Sequence, residues 1–240
     1  MVNDRFKHYI RYAGKDLNEF GLVFSGNETH GTPSRDISNL SVPGKNGDIT
    51  IDNGRWNNIN VVYRTGIKKP VEKNLQDLRN FLMSQIGYQR LEDSYSPDTY
   101  RLGVYTGEFR PTLYAMSRVG EVTLNFNCKP QRYLKEGENE IEASSGDIIH
   151  NPTYTSAKPL VRVYGTGTIA IGDQTIKINS SYGYTDIDCE IMDAFYGSSN
   201  CNNKITLQSG SFFTLEPGDN GITFTSGITK VIITPRWWIL

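Results

Sequence analysis

The chain has 240 residues, of which 37% are hydrophobic and 21% charged, and its net charge is −1. This composition is typical of a globular protein with one or two domains. No apolar run approaches the ~18 residues that a membrane helix needs, and the N-terminal residues contain no apolar segment behind their charges, so we expect neither membrane insertion nor a secretory signal. Lys and Arg form no dense cluster, which argues against a nucleic-acid-binding surface.

Charge is divided unevenly along the chain. Residues 1–136 carry 19 Lys and Arg against 15 Asp and Glu, whereas residues 137–240 carry 6 against 11. The segment 132–159, where the balance changes sign, is polar and contains Gly, Ser and two prolines, as linkers do. We therefore predict two domains, 1–136 and 137–240, with different neighbours.

The first domain begins with short alternating segments that are typical of strands. Asn46-Gly47 and Asn53-Gly54 are predicted to be turns, because Asn-Gly favours the positive φ angles of tight hairpins. The predicted strands are 5–12, 20–24, 47–51 and 58–64.

The glycine-rich stretch "SVPGKNGDITIDNG" (41–54) invites comparison with a phosphate-binding loop. Such a loop needs G-x-x-x-x-G-K-[ST] followed by a helix. Here Lys45 follows the first glycine, Gly44, and a strand pattern comes next. The stretch is therefore predicted to be a turn that leads into a strand, without a nucleotide site.

One helix is predicted, over residues 70–86. Pro70 suits a first helical position, and Gly87 suits the residue just past the end. Phe81 and Met83 lie off the apolar stripe and belong either to a wider buried face or to an intermolecular contact. The stripe consists of Val71, Leu75, Leu78, Leu82 and Ile86.

Beyond the helix the pattern returns to strands. Gly172-Asp173 joins two of them with the signal of a two-residue hairpin. Many short strands at regular spacing predict a β-sandwich or jelly roll in the second domain. The predicted strands are 100–110, 120–130, 159–165, 168–171, 174–179, 185–192, 204–207, 211–215, 221–225 and 230–240.

Residues with catalytic or metal-binding chemistry form no recognisable pattern. His8, His30 and His150 show no ligand spacing, and the chain has no G-x-S-x-G nucleophile elbow. Cysteines 128, 189 and 201 form no C-x-x-C and indicate reduced thiols in a cytoplasmic setting. We predict no catalytic residues, no cofactor and no metal site.

Three acidic residues at period two leave two interpretations open. Asp186, Asp188 and Glu190 could together bind calcium, which takes several oxygen ligands. Alternatively they form the solvent face of a strand. The other face of that strand would carry Ile187, Cys189 and Ile191.

Aromatic residues near the end of the chain raise the question of sugar binding, which jelly rolls often host. Trp237 and Trp238 are adjacent, so along a strand they point to opposite faces. Tyr182, Tyr184 and Tyr196 add candidates in loops. Either these rings provide an exposed platform, or one tryptophan lies in the core and the other in a domain or subunit contact.

Several segments together resemble a known family. They are "VPGKNGDI" (42–49), "YQRLEDSYSPDTYRLG" (88–103), "NFNCKPQRYLKEGE" (125–138) and the closing "ITPRWWIL". In this order they are similar to the distal tail proteins of bacteriophages with long, non-contractile tails that infect Gram-positive bacteria. Matching positions include Asp93, Pro97 and Arg101, and the likeness spans both predicted domains.

The resemblance implies an N-terminal β-sandwich with one helix that forms a six-subunit ring, and a C-terminal galectin-like jelly roll. The ring would lie at the tail tip of the virion, assembled in the cytoplasm of the bacterial host. Its partners would be the tail tube protein, the tail-associated hub or lysin protein, and receptor-binding or baseplate proteins. DNA would only pass through the central channel.

The leading hypothesis is therefore a structural tail hub and not an enzyme. The sequence does not identify the interface residues of the ring. The alternative is a carbohydrate-binding protein, recognising a host receptor, that uses the C-terminal jelly roll. Some members of the family carry an inserted carbohydrate-binding module, for which this chain has no spare length.

Overall fold

The computed structural model describes residues 8–24, 31–114 and 119–240. His30 and the first residues of the predicted strand 5–12 lie outside the described residues. The described chain divides into two compact units. The first extends to Arg132 and also includes Leu240, and the second is Tyr133–Ile239.

The first unit is an antiparallel sheet with a helix packed on it. Seven of its strands run in the order β2-β1-β7-β8-β10-β6-β3, and β9 pairs with β10. A separate two-stranded sheet is formed by β4 and β5. The strands are β1 (Ile10–Tyr12), β2 (Lys15–Asp16), β3 (Leu22–Phe24), β4 (Arg35–Leu40), β5 (Ile49–Trp56), β6 (Ile59–Ile67), β7 (Gln89–Asp93), β8 (Thr99–Tyr105), β9 (Thr112–Tyr114) and β10 (Val119–Leu134).

The helix α1 (Val71–Ser84) confirms the predicted apolar stripe over most of its length. Four of its five predicted members are buried against the sheet, because a period of 3.6 residues keeps them on one face. Phe81 is partly buried and stacks on Phe20 at 5.2 Å between ring centroids. The buried members are Val71, Leu75, Leu78 and Leu82.

The predicted end of the helix, at residue 86, is wrong. The helix ends at Ser84, because the Ser84 hydroxyl and the Gln85 side-chain amide both donate to the carbonyl of Phe81. These bonds satisfy a free carbonyl of the last turn. Ile86 consequently lies outside the stripe and is 88% exposed.

The second unit is a sandwich of two antiparallel sheets, ordered β11-β21-β13-β16-β17-β18 and β12-β20-β14-β15-β19. Its buried apolar core comes from both sheets, and the mainly-β sandwich class is confirmed. The strands of the two sheets are β11 (Ile141–Ala143), β12 (Ile148–Asn151), β13 (Leu160–Gly165), β14 (Gly167–Ile171), β15 (Gln174–Ile178), β16 (Thr185–Asp188), β17 (Asp193–Tyr196), β18 (Ser199–Asn200), β19 (Ile205–Leu207), β20 (Gly218–Phe224) and β21 (Ile228–Thr234). The short strand β22 (Trp238–Ile239) belongs to neither of these two sheets.

Local turn signals had mixed outcomes. The two-residue hairpin is confirmed, since Ile171 pairs with Gln174 across Gly172-Asp173. Asn53-Gly54 is not a turn but lies inside β5, where the register shifts opposite Arg35 and Ile37. The predicted strand 211–215 contributes a single bridge, between Leu215 and Ala157.

Candidate functional site

The glycine-rich stretch forms the tip of a hairpin made by β4 and β5. Gly44 and Gly47 in the loop both have a φ of 80°, which glycine adopts without steric cost. The loop connects two strands, and no helix follows it. The prediction of a turn that leads into a strand is confirmed.

One face of this hairpin is apolar and open to solvent. Leu40 pairs with Ile49, and Ile51 pairs with Ser38, so all four side chains share a face. Leu40, Ile49 and Ile51 are 55%, 41% and 49% exposed, and we call these three residues the hairpin patch. The sequence analysis missed it, although the alternation in "GDITI" was the signal. The opposite face carries Ile37, which is also exposed.

Asp93, from the segment that resembles the tail proteins, organises the turn between β7 and β8. Its carboxylate accepts hydrogen bonds from the Tyr63 hydroxyl at 2.6 Å and from the backbone amides of Tyr95 and Ser96 at 2.9 and 3.1 Å. Burial, followed by the charge of Asp93, raises the pKa of Tyr63 well above its ordinary value, so its hydroxyl remains a donor. The role of Asp93 is structural.

Arg101, from the same segment, lies in a buried position beside Arg132. Only 7% of Arg101 is exposed, and burial together with the charge of Arg132 lowers its pKa. The two arginines and Asp93 line a cavity of about 20 Å³, which is room for one water molecule. Arg132 also donates to the carbonyl oxygen of Leu240 at 2.6 Å. Through this bond Arg132, near the end of β10, holds Leu240 within the first unit.

The histidines do not meet in the described structure. His8 lies 3.3 Å from the hydroxyl of Ser94. His150 pairs through Nδ1 with Asp219 at 2.7 Å, and both side chains are about two-thirds exposed. Among the residues that the structure describes, no group of three or more His, Cys, Asp or Glu could hold a metal ion.

The acidic row forms neither a calcium site nor a solvent face, so both interpretations of Asp186 and Asp188 are wrong. Asp186 is 3% exposed and accepts two hydrogen bonds from Arg162, at 2.7 and 2.9 Å. Asp188 is 9% exposed and accepts two from Arg236 at the same distances. Glu190 lies beyond the end of β16. Each buried carboxylate is thus neutralised by its own arginine.

The three cysteines are free thiols and are buried. Burial is the main reason why the pKa of Cys128 and of Cys189 is raised to about 12. A thiol with such a pKa is a poor nucleophile at neutral pH. The described structure therefore places the cysteines in the two cores, where they pack as small apolar side chains.

Trp237 and Trp238 provide no exposed platform. Trp237 is 4% exposed and belongs to the core of the second unit. Trp238 is partly buried against that core, and its indole N–H donates to the carbonyl of Ser156 at 3.0 Å. The prediction that one tryptophan lies in the core is confirmed.

The tyrosines, in contrast, come together on the second unit. The rings of Tyr182 and Tyr196 are stacked, with centroids 4.8 Å apart and planes 2° from parallel. Tyr184 contacts Tyr196 at 4.7 Å, and Tyr164 contacts Tyr184 at 5.9 Å. We call these four residues the tyrosine cluster. The sequence analysis named three of them and missed Tyr164, which reaches the group because β13 pairs with β16.

No helix in the described ranges is long and apolar enough to cross a bilayer. No protein-family model matches the chain, and no curated protein sequence matches it. Solved structures, in contrast, do match the chain. The chain is similar to the Dit (gp 19.1) protein of phage SPP1, described as a paradigm of the hub adsorption apparatus in Gram-positive-infecting phages. That likeness has a TM-score of 0.75 at 14% identity and covers 97% of this chain and 99% of that one.

Two structures of the phage P2 baseplate in its activated conformation are also similar. The one with Ca gives a TM-score of 0.54 at 10% identity, covering 95% of this chain and 97% of that chain. The one with Sr gives 0.52 at 11% identity, covering 94% and 96%. Along nearly its whole length, the chain therefore has the fold of the phage hub and baseplate proteins represented by SPP1 Dit.

Proposed function

We propose that this chain is a structural hub protein of a bacteriophage tail, a distal tail protein at the end of the tail tube. Residues 1–136 form the ring domain and residues 137–240 the outer, galectin-like domain. Six copies close into a ring that joins the tube to the tail-tip or baseplate proteins, and DNA passes through its opening. The protein is part of the virion, is assembled in the host cytoplasm and is not an enzyme.

The observation that carries this proposal is the extent of the fold likeness. It covers 97% of this chain and 99% of SPP1 Dit, so both units are matched in order and not one common module alone. Fold by itself does not determine function. The order of the tail-protein segments 42–49, 88–103 and 125–138 supports the same assignment independently of the coordinates.

The hairpin patch supports assembly into a ring. A two-stranded hairpin is at best marginally stable on its own in water, and this one leaves three large apolar side chains about half exposed. A closed ring needs heterologous contacts, in which one surface meets a different surface of the next subunit. We assign the hairpin patch to that contact, with a second copy of this chain as its occupant.

The proposed channel leads to an expectation about where the positively charged residues lie. A wall rich in Lys and Arg would hold the DNA backbone by phosphate attraction, so the positive balance of residues 1–136 belongs at the interfaces or outside the ring. A reconstruction of the assembled ring by cryo-electron microscopy tests this. Arg and Lys crowded around the opening would contradict it.

The assembly itself is tested by light scattering on the purified chain, followed by negative-stain imaging of the main peak. A ring of six gives about 162 kDa, six times the 27.0 kDa of one chain, and particles with six-fold symmetry and a central hole. The measurement is repeated with the tail tube protein of the same phage, since assembly can depend on it. A monomer under both conditions would overturn the ring.

A further inference from the structure

We propose that the tyrosine cluster of the second unit is a binding platform for a neutral carbohydrate. Tyr182 and Tyr196 are 42% and 36% exposed, although tyrosine rings are large and would gain from burial. Tyr196 already contacts Tyr182 on one side and Tyr184 on another. Tyr182 therefore ends the stack and presents the free ring face on which a sugar ring would lie.

Tyr184, at one side of the cluster, is anchored to the sheet by Arg162. The guanidinium of Arg162 lies 4.5 Å from the centroid of Tyr184, which is a cation–π contact. Arg162 is itself fixed by two hydrogen bonds to the buried carboxylate of Asp186. A surface that is ordered before binding loses less conformational entropy when the ligand arrives. The part of the cluster that Tyr184 forms is thus ordered before a ligand binds.

The chemistry of the cluster fits a sugar. The face of an aromatic ring carries negative charge density, and the C–H groups on one side of a pyranose ring are weakly positive. Phenol hydroxyls add polar contacts for the sugar hydroxyls. Ser199, which pairs directly with Tyr196 at the edge of its sheet, is exposed and polar. A flat aromatic surface with a polar rim results.

Charge favours a neutral ligand over a phosphate-rich one. Residues 137–240 carry 6 Lys and Arg against 11 Asp and Glu, a balance of −5. Single-stranded nucleic acids also stack on aromatic rings, but their sites combine the rings with a positively charged groove. Within the cluster, Arg162 is already neutralised by Asp186. The same argument disfavours anionic cell-wall polymers.

The geometry also disfavours a proline-rich peptide. Such peptides dock in grooves between aromatic side chains. The two most exposed rings here are stacked on each other with planes 2° apart, so no slot remains between them. Peptide binding is nevertheless an outcome that the test below can reveal.

The test is affinity electrophoresis of the full chain in gels that contain neutral polysaccharides: a glucan, a galactan, a rhamnan and a soluble N-acetylglucosamine polymer. A labelled thymine oligonucleotide and a labelled proline-rich peptide are tested for binding in parallel. We expect at least one of them to retard the protein. Tyr182→Ala is expected to weaken binding about 10-fold or more, by analogy with the loss of one aromatic ring at sites that stack nucleic-acid bases. Tyr182→Phe, which keeps the ring, should retain most of the binding.

A matched control is available in the same unit. Tyr154 is 100% exposed, and Tyr154→Ala should leave retardation unchanged. Thermal unfolding of each variant establishes that it folds. The proposal is overturned if no polysaccharide retards the chain, if Tyr154→Ala weakens binding as much as Tyr182→Ala, or if a thymine oligonucleotide or a proline-rich peptide binds instead. None of these results bears on ring formation, which the mass measurement decides separately.

Discussion

Replacing the hairpin patch tests whether it is the contact that joins neighbouring subunits. The triple variant Leu40→Thr, Ile49→Thr, Ile51→Thr removes most of its apolar surface. Threonine is β-branched and suits strands, so the pairing of β4 with β5 is expected to persist. We expect the variant to fold normally and to assemble poorly.

The expected loss follows from the exposed fractions. Full burial of a Leu or Ile side chain is worth about 1.5–3 kcal/mol, and about half of each remains to be covered, which gives about 1 kcal/mol per side chain on association. Threonine keeps one methyl group, so the triple variant forfeits about 2 kcal/mol per contact. At 1.4 kcal/mol for each tenfold change, each contact weakens roughly 30-fold.

The assay is the mass distribution over a concentration series, by light scattering or native mass spectrometry. For the triple variant, the protein concentration at which half of the chains are assembled should increase. The thermal unfolding midpoint of the unassembled chain should not change. Ile37→Thr is the matched control, because Ile37 is 47% exposed on the opposite face of the same hairpin. If the triple variant assembles like the parent, or if Ile37→Thr has the same effect, the hairpin patch is not the contact.

Three further predictions concern stability and reactivity. Burial raises the pKa of Asp188, but the hydrogen bonds and charge of Arg236, together with the backbone amides of Glu190 and Ile191, lower it by more, so the net pKa is lowered. The stabilising effect of the Asp188 carboxylate is therefore complete above the unfolded pKa of about 3.9 and is lost as the pH falls through the lower folded pKa. Asp188→Asn should therefore destabilise the chain by about 2–3 kcal/mol near pH 7 and lessen its sensitivity to acid, as urea titrations at several pH values would show. With Cys128 and Cys189 at a pKa of about 12, Ellman's reagent should react slowly with the native chain at pH 8 and with three thiols after denaturation; fast native reaction of either thiol would contradict the burial argument. Gly137→Ala places a methyl group 2.4 Å from the backbone nitrogen of Trp237 and should lower the free energy of unfolding by about 1–3 kcal/mol. An unchanged melting temperature would contradict this and show that the backbone shifts to make room for the methyl group.

Elements governed by local periodicity were predictable from the sequence. The stripe of α1 was recognisable because each of its members lies three or four residues from the next. In β6, alternate residues from Ile59 to Ile67 are buried, as the period of two requires. The end of α1 was not predictable in the same way. Gly87 was a reasonable stop signal, but side-chain bonds from Ser84 and Gln85 end the helix earlier.

The acidic row shows why side-chain environments were harder to predict. Period two correctly places Asp186 and Asp188 on one face of β16. Whether that face meets water depends on Arg162 and Arg236, which lie 24 and 48 residues away in sequence. These partners become visible only through strand pairing. A carboxylate that looks solvent-exposed in sequence can thus be part of a buried ion pair.

The tyrosine cluster depends on topology in the same way. Tyr164 lies in β13, and Tyr184 directly precedes β16, the strand that pairs with β13; Tyr196 ends β17 on the other side of β16. Sequence separation gave no indication that these rings would meet.

The Asn53-Gly54 dipeptide shows the opposite case, in which a strong local turn signal was overridden because β5 continues through it to pair with β4.

Buried carboxylates are paired within the fold, whereas some apolar and aromatic side chains are exposed. This distribution favours a protein that functions by binding partners at its surface. The buried carboxylates stabilise the fold. Asp93 orders a turn by accepting hydrogen bonds from Tyr63 and from backbone amides, and Asp188 is bound by Arg236. Several exposed apolar and aromatic side chains are instead grouped together, in the hairpin patch and in the tyrosine cluster. Covering exposed apolar groups lowers the free energy. We therefore expect partners to bind at the hairpin patch and at the tyrosine cluster. One would meet a copy of the same chain, and the other a ligand of different chemistry, so each can be altered without the other.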